Sequence, residues 1–220
     1  MTPIIRFDQV CVTAQAKTIL TDISFVLQPG DKAVFCGKSG SGKSSILRTL
    51  LGLHTIKSGT VYFQEQALTP ATVQNIRNCT AYISQEPVLG ADTVRDALLL
   101  PFQFKAHRRQ PPNEAQLKAV LQRLHLPVDI LDQAGNKISG GEKQRIALAR
   151  GILLGKKLYL LDEVTSALDA ESKQAVFSVF ADKELTLLSV AHDPDWLAHC
   201  DLVFALDAGH LFQVNTYGNA

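Results

Sequence analysis

Short apolar runs alternate along the chain with stretches in which apolar side chains recur every three or four positions. The first pattern is typical of strands and the second of helices that cover a sheet. We therefore predict strands at residues 4–12, 19–27, 33–36, 60–63, 81–84, 158–161, 185–191, 202–206 and 211–214. Helices are predicted after residue 43 and at residues 70–77, 93–100, 113–124, 140–154 and 170–180. This alternation indicates an α/β protein.

The pattern changes after residue 86, where it becomes mainly helical and is interrupted by prolines. Pro101 ends the helix predicted at residues 93–100, and a polar, proline-rich link follows at residues 107–112. We expect residues 86–155 to form a helical subdomain inserted in the α/β core.

The chain has 220 residues, of which 46% are hydrophobic and 20% charged, and its net charge is +1. This composition is typical of a globular protein. The near-neutral charge argues against a broad nucleic-acid-binding face. The cysteines (Cys11, Cys36, Cys79 and Cys200) are scattered, which disfavours a zinc site or a disulfide framework. Residues 1–10 lack a signal-peptide pattern, and no apolar run approaches the roughly 18 residues of a membrane span. If the protein works at a membrane, we expect a partner to hold it there.

A glycine-rich segment separates the apolar run at residues 33–36 from a helical pattern. Its residues are Gly37, Lys38, Ser39, Gly40, Ser41, Gly42, Lys43, Ser44 and Ser45. Glycines allow a tight turn around phosphate oxygens, and the positive end of the following helix favours an anion. Lys43 is placed to reach the outer phosphates and Ser44 to hold Mg²⁺. A surface turn is the alternative, but the order strand, loop, helix favours a Walker A loop that binds a nucleoside triphosphate.

Polar groups with useful chemistry follow four of the predicted strands. Gly37, Gln85, the pair Asp162-Glu163 and His192 each come directly after one of them. Ligands of parallel α/β sheets bind at the carboxyl ends of the strands, so we expect these groups at one edge.

Each of these groups has a predicted role and an ordinary alternative. Asp162 suits a Mg²⁺ anchor opposite Ser44, and Glu163 could orient and deprotonate a water aimed at the terminal phosphate. His192 could hydrogen-bond the γ-phosphate or Glu163, although a lone histidine is often structural. Gln85 could meet the metal or the water without adding charge, but glutamine at a strand end is unremarkable. For the acidic pair the alternative is a solvated strand end.

A second anion-receiving pattern, Ser139-Gly140-Gly141, stands at the start of the helix predicted at residues 140–154. It offers a hydroxyl and unpaired backbone N–H groups, which suggests a site closed by a second surface. The alternative is a serine N-cap with glycines that permit tight packing.

Together these segments resemble the motif set of the ATP-binding cassette (ABC) ATPases, in the same order. The motifs are the phosphate loop, Gln85, residues 138–142, Asp162-Glu163, residues 166–169 and His192. The resemblance implies an α/β P-loop NTPase, in which a RecA-like core sheet carries an antiparallel β subdomain and the inserted helical subdomain. Residues 1–220 would be a single ABC ATPase domain.

The resemblance also implies ATP and Mg²⁺ as cofactors, ATP hydrolysis coupled to transport, and an ATP-dependent homodimer. The signature residues of one copy would cover ATP held by Lys43 of the other; they are Ser139, Gly140, Gly141 and Glu142. The dimer seam would be lined by Ser166, Ala167, Leu168 and Asp169. Glu163, His192, Lys43 and Gln85 would be catalytic, and Ser44, Gln85 and Asp162 would bind the metal. The chain would dock on an integral membrane permease, at the cytoplasmic face of the cell inner membrane, through the region after Gln85.

A closer resemblance is to the ATPase subunit of a two-component bacterial iron exporter. It is carried by Pro101-Phe102, residues 109–111, residues 138–145 and residues 160–169. Related cassettes for lipoproteins and macrolides share Ser-Gly-Gly-Glu, so they remain alternatives. The membrane permease would determine the cargo and the direction of transport.

Two departures from the family pattern affect the expected site. No aromatic residue stands near Ala14, in residues 12–18, where the family usually stacks one on adenine. We therefore expect weak discrimination between ATP and GTP. Glu142 replaces a glutamine that many members carry, and we expect the site to remain competent because the Ser139 hydroxyl is retained.

Two other functional classes share parts of this pattern. A soluble cassette ATPase acting on DNA or ribosomes would need a long coiled coil, two cassettes or a basic surface, and none of these is apparent. A small-molecule kinase would share the phosphate loop but would not need Ser139-Gly140-Gly141 or Glu163 beside Asp162.

Overall fold

The computed structural model describes residues 2–14, 17–108 and 110–214. Gln15 and Ala16, in the turn predicted between the first two strands, and Arg109, in the proline-rich link, lie outside the described residues. The described chain divides into two compact units. The first lies within Met1–Ala81, Lys157–Glu163 and Lys183–Ala220, and the second is Tyr82–Lys156 with Val164–Asp182. Among the described residues, none of the helices combines the length and the apolarity that a membrane crossing requires.

Ten strands form two sheets in the described residues. The strands are β1 (Ile5–Ala14), β2 (Lys17–Leu27), β3 (Lys32–Cys36), β4 (Thr55–Phe63), β5 (Gln66–Ala67), β6 (Thr80–Ile83), β7 (Leu158–Asp162), β8 (Thr186–Val190), β9 (Leu202–Asp207) and β10 (His210–Val214). One sheet is antiparallel, with the order β2-β1-β4-β5. The other has the order β10-β9-β3-β8-β7-β6, in which β3 pairs in parallel with β8 and β9, and β7 with β8. A mainly parallel sheet beside an antiparallel one confirms the predicted fold class.

The central strands of the parallel sheet are apolar along most of their length because they are covered on both faces. Every residue of β7 and β8 is buried. In the first unit, the rings of Phe7, Phe25, Phe35 and Phe204 form a continuous aromatic cluster with centroid separations of 4.6 to 5.6 Å. The core of this unit therefore lies between side chains of β1 and β2 and those of β3 and β9.

Three helices belong to the first unit: α1 (Lys43–Leu50), α2 (Val73–Cys79) and α7 (Pro194–Ala198). α1 buries the apolar residues Ile46, Leu47 and Leu50, as its spacing predicts. Arg77 donates two hydrogen bonds to the Leu51 carbonyl, at 3.0 and 2.8 Å. This guanidinium therefore satisfies a carbonyl that the end of α1 leaves without a helical partner.

Four helices belong to the second unit: α3 (Val94–Leu99), α4 (Glu114–Arg123), α5 (Gly140–Leu153) and α6 (Ala170–Phe180). Their N-caps are Thr93, Asn113, Ser139 and Asp169, and each side chain accepts a backbone N–H of the first turn. A 3-10 turn at Leu100–Gln103 contains Pro101, so the proline ends α3, as the sequence predicted. α5 packs against α3 and α4.

Element boundaries differ from the prediction where side chains compete for backbone groups. α2 begins at Val73 rather than at residue 70, because Thr72 accepts the Thr69 N–H at 2.8 Å and donates to the Ala67 carbonyl at 2.7 Å. β4 begins at Thr55 rather than at residue 60. Gly59, with φ of 78°, allows the strand to continue past an irregularity in β1, where a Cβ would lie 2.2 Å from the Gln9 carbonyl oxygen.

Candidate nucleotide site

The phosphate loop in the first unit depends on glycine at three positions. Gly37, Gly40 and Gly42 have φ values of 134°, 77° and 106°, which side chains disfavour. Two of them also lie against the backbone: a Cβ on Gly37 would be 2.1 Å from the Leu206 oxygen, and one on Gly42 would be 2.8 Å from the Ile19 oxygen. The loop therefore has this path only with glycine at these positions, at the carboxyl end of β3.

Lys43 begins α1 and lies beneath the loop, where it is buried. Its Nζ donates to the carbonyls of Gly37 and Lys38 at 2.8 and 2.9 Å. Burial lowers the pKa of this ammonium group, and the negative charge of Glu163 partly offsets that effect. The positive charge is thus held at the loop by backbone oxygens, close to where a phosphate would bind.

Ser44, which follows Lys43 on α1, contacts Asp162. The Ser44 Oγ donates to Asp162 Oδ1 at 2.6 Å, and Asp162 is buried at the end of β7. Hydroxyl and carboxylate oxygens are ligands that Mg²⁺ accepts, so this donor pair fits the metal. In the part of the chain that the structure describes, no group of three or more His, Cys, Asp or Glu side chains could hold a metal ion. A magnesium ion at Ser44 and Asp162 would therefore draw further oxygens from phosphate or water.

Glu163 follows β7 in a left-handed backbone conformation, with φ of 52°. Such a conformation is unfavourable for a residue with a side chain and is held in place by its surroundings. Here the Glu163 N–H donates to the Val190 carbonyl at 2.9 Å, which ties the turn to the end of β8. The Glu163 carboxylate, about one quarter exposed, lies beside His192, with Oε1 3.5 Å from Nε2.

The structure brings together one part of the predicted site in the first unit and another part in the second. The first unit holds residues 37–45, Asp162, Glu163 and His192, and the second holds Gln85, residues 139–142 and residues 166–169. The predicted roles of these residues remain predictions.

Gln85 follows β6 in the second unit and is fixed through its backbone. The Gln144 Nε2 on α5 donates to the Gln85 carbonyl and, at 3.4 Å, to the Ser84 carbonyl. Farther along α5, one Arg150 nitrogen donates to the carbonyls of Val88 and Leu89, at 3.1 Å each. α5 therefore holds the segment 84–89 at two points.

Sequence reasoning missed Gln144 and Arg150. A signal was present for Gln144, because it lies four residues before Leu148 and on the same buried face of α5. A polar side chain on an apolar face needs a hydrogen-bond partner, and that need could have marked it.

The signature segment forms a reciprocal capping box at the start of α5. Glu142 Oε2 accepts the Ser139 N–H at 2.8 Å and the Ser139 hydroxyl at 2.7 Å, and the Glu142 N–H donates to Ser139 Oγ at 3.3 Å. The hydrogen bonds from Ser139 lower the pKa of the Glu142 carboxyl. The N-cap alternative for Ser139 is therefore present in the structure, which leaves its predicted role at the nucleotide a prediction.

The predicted seam lies close to the signature within the second unit. A Cβ on Gly141 would be 2.8 Å from the Ala167 carbonyl oxygen, so α5 approaches this segment closely only with glycine there. Ser166 and Ala167 are exposed, whereas Leu168 is buried. Asp169 accepts the Ser172 N–H at 2.7 Å and caps α6. The seam segment and the signature therefore lie against each other at Gly141 and Ala167.

The fold and the site define a P-loop ATPase of the cassette type. Residues 20–166 match the ABC transporter family, and the chain belongs to that family, as predicted. The probable iron export ATP-binding protein FetA of Escherichia coli K12 is 35% identical over 93% of this chain and 91% of the relative. The mycobactin import ATP-binding/permease protein IrtB of Mycolicibacterium smegmatis is 33% identical over 97% of this chain, but this chain spans only 38% of that relative.

Solved structures agree with this assignment. A bacterial Atm1-family ABC exporter with ATP bound superposes with a TM-score of 0.85 and 28% identity, over 96% of this chain and 38% of that chain. A dimeric ATP-binding cassette in a post-hydrolysis state, bound to ADP and Pi, superposes with a TM-score of 0.84 over 98% of this chain and 100% of that chain. At 21% identity, the second likeness shows the fold alone.

Proposed function

We propose that this chain binds and hydrolyses ATP to power the export of iron or another small cargo through a membrane permease. The supporting observation is the match to FetA, which covers nearly the whole of both chains. The oxygen pair Ser44–Asp162 and the pair Glu163–His192, both beside the phosphate loop, provide chemistry suited to ATP hydrolysis.

In the proposed mechanism the phosphate loop holds the triphosphate and Lys43 exchanges its carbonyl partners for phosphate oxygens. Ser44 and Asp162 would hold Mg²⁺, which when bound would neutralise charge on the β- and γ-phosphates. Gln85 as a further metal ligand stays a prediction of the sequence. The Ser44 hydroxyl donates to the Asp162 carboxylate and orients it, so this part of the proposed metal site would need little rearrangement.

Glu163 is the proposed base. Its carboxylate is partly exposed at the end of β7, so it can accept a proton from a water aimed at the γ-phosphate. His192 lies beside that carboxylate and can orient it or bind the γ-phosphate. The left-handed turn at Glu163 ends β7 at Asp162, and the Glu163 side chain is left where a water can reach it.

A nucleotide-sandwich homodimer would complete the site. Ser139 and Gly140 are exposed, as are Ser166 and Ala167. These residues are therefore available to a second copy, in which Ser139–Glu142 would cover the γ-phosphate held by Lys43 of the first. Trapping this dimer with ATP in the Glu163→Gln variant tests the proposal, because loss of the base blocks the hydrolysis that reopens it.

A permease would dock on the segment after Gln85. Val88 is 82% exposed and Phe104 is 62% exposed, while Leu89 and Phe102 of the same region are buried. Exposed apolar side chains of this size are suited to a protein partner. Co-purification with a co-expressed permease should fail for Val88→Asp combined with Phe104→Asp and persist for Leu53→Asp, an exposed leucine of the first unit.

The iron content of cells tests whether iron is the cargo. Cells that lack this chain should accumulate iron during iron excess, and Glu163→Gln should not restore the wild-type level. Unchanged iron content would overturn the assignment of iron and leave the ATPase assignment intact. The second candidate is export of drug-like compounds, because the ABC multidrug transporter MDR2 of Trichophyton rubrum is 31% identical over 93% of this chain, which spans 16% of that relative. That candidate predicts greater drug sensitivity of the same cells.

A further inference from the structure

The carboxylate of Glu142 holds the single proton of the Ser139 hydroxyl. Ser139 Oγ lies 2.7 Å from Glu142 Oε2, and the same hydroxyl oxygen accepts the Glu142 N–H at 3.3 Å. A serine hydroxyl has one proton to donate. While the capping box is closed, that proton is directed to Glu142.

A terminal phosphate needs this proton. Phosphate oxygens at neutral pH are mainly acceptors, so a serine that binds them must donate. In the proposed dimer, Ser139 faces the γ-phosphate of the partner copy. The hydroxyl must then turn its proton from the carboxylate to the phosphate.

We infer that Glu142 is a positioning residue that competes with the γ-phosphate for the Ser139 proton, and so raises the ATP concentration at which the dimer closes. This inference rests on the proposed sandwich dimer. Glu142 acts through Ser139, and no contact between Glu142 and the nucleotide is needed.

The surroundings of Glu142 keep the competing carboxylate ionised. The hydrogen bonds from Ser139 lower the pKa of Glu142, and the positive charge of Arg145 acts in the same direction. A hydrogen bond to an ionised acceptor is roughly twice as strong as one to a neutral acceptor. A glutamine at this position would therefore hold the hydroxyl proton more weakly.

The chain contains a matched capping box with glutamine. At the start of α4, Gln116 Oε1 accepts the Asn113 N–H at 2.9 Å, and the Gln116 N–H donates to Asn113 Oδ1 at 3.0 Å. Glutamine is thus compatible with this capping geometry. Glu142→Gln should preserve the cap of α5 while it weakens the hold on Ser139.

The experiment measures ATP-dependent dimerisation by sedimentation in the Glu163→Gln background. Adding Glu142→Gln should lower the ATP concentration for half-maximal dimer about fivefold, because the competing bond becomes neutral. In otherwise wild-type protein the same substitution should lower KM for ATP by a similar factor with kcat little changed. Gln116→Glu, the opposite change in the α4 box, should alter neither quantity.

The role of Ser139 is tested by a double-mutant cycle. With Ser139→Ala already present, Glu142→Gln should have little further effect. If its effect remained undiminished, Glu142 would act by charge alone and the competition for the proton would be refuted.

The other outcomes are equally decisive. If Glu142→Gln left the ATP concentration for half-maximal dimer unchanged, position 142 would not affect closure, which overturns the inference but not the proposed function. If the Glu163→Gln parent formed no dimer with ATP, the proposed function itself would fail. Equal thermal unfolding midpoints for wild type and Glu142→Gln would show that the cap is intact.

Discussion

His192 Nε2 lies 3.5 Å from Glu163 Oε1, although the two residues follow different strands of the parallel sheet. The Glu163 N–H also donates to the Val190 carbonyl at the end of β8, so the two strand ends are joined by backbone as well as by side chains. This arrangement places the proposed base beside a group that can hold it in one orientation.

Glu163→Gln should lower kcat for phosphate release by at least about 100-fold, the usual contribution of a general base. His192→Ala should lower kcat less, because the Glu163 carboxylate remains and only the imidazole beside it is lost. His199→Ala is the matched control, since His199 is exposed and its Nδ1 lies 2.7 Å from the Asp195 carbonyl oxygen rather than near the site. A loss in His199→Ala as large as that in His192→Ala would contradict this role.

Asp162→Asn should weaken the binding of the Mg²⁺ that supports ATP hydrolysis. The substitution keeps the shape of the buried side chain but removes the charge that faces the Ser44 hydroxyl at 2.6 Å. We expect the Mg²⁺ concentration for half-maximal activity to rise at least about tenfold, since metal affinity follows ligand charge. Binding of a fluorescent ATP analogue in EDTA should change little, and a parallel loss there would indicate damage to the loop instead.

Gln144→Leu should lower the free energy of unfolding by about 1–3 kcal/mol, because the backbone carbonyl of Gln85 would lose a buried donor. Urea denaturation followed by circular dichroism measures this change. Gln122→Leu, on the exposed face of α4, should stay within about 0.5 kcal/mol of wild type. Equal effects of the two substitutions would mean that the hydrogen bonds of Gln144 contribute no stability.

Ala14→Tyr should change nucleotide discrimination. The wild type lacks an aromatic residue near this position and should bind ATP and GTP with similar affinity. A tyrosine at the end of β1 can stack on the base, which contributes on the order of 1–3 kcal/mol. Competition binding with both nucleotides gives the ratio, and an unchanged ratio in the variant would refute the prediction.

Cys11 and Cys200 should differ in the pH at which iodoacetamide alkylates them. Hydrogen bonds from the Ser58 side chain and the Asp22 backbone lower the pKa of Cys11, whereas burial raises the pKa of Cys200 to about 12. The thiolate is the reactive form and becomes more abundant as pH rises through the pKa, so Cys11 should react at a lower pH. Mass spectrometry should find Cys200 modified at about pH 8 only after denaturation, because the native thiol stays protonated there. Early modification in the native protein would contradict its burial.

The sequence predicts best the elements whose whole length is apolar or strongly periodic. The strand predicted at residues 158–161 is β7 (Leu158–Asp162), and the helix predicted at residues 170–180 is α6. Short elements such as β5 (Gln66–Ala67) and α7 (Pro194–Ala198) were not predicted. They contain too few residues to show a hydrophobic period.

In the candidate site, too, some features can be predicted from the sequence and others cannot. The spacing of glycines in the phosphate loop carries its own signal, because few other structures require that pattern. The left-handed turn at Glu163 and the choice of the Gln85 carbonyl as the partner of Gln144 carry no such signal. Each depends on where a hydrogen-bond partner lies in three dimensions, and residue identity alone does not specify that position.

The phosphate loop is completed by chain that is synthesised much later. The Gly209 N–H donates to the Ser41 carbonyl at 3.1 Å, and Gly37 lies against the Leu206 carbonyl oxygen. On the ribosome, the glycine-rich turn emerges well before β9 and β10. A nascent chain of that length has the residues of the phosphate loop but lacks Leu206 and Gly209, which contact it. We therefore expect nucleotide capture to come late in the biogenesis of this protein, and we expect truncation within the final hairpin to abolish it.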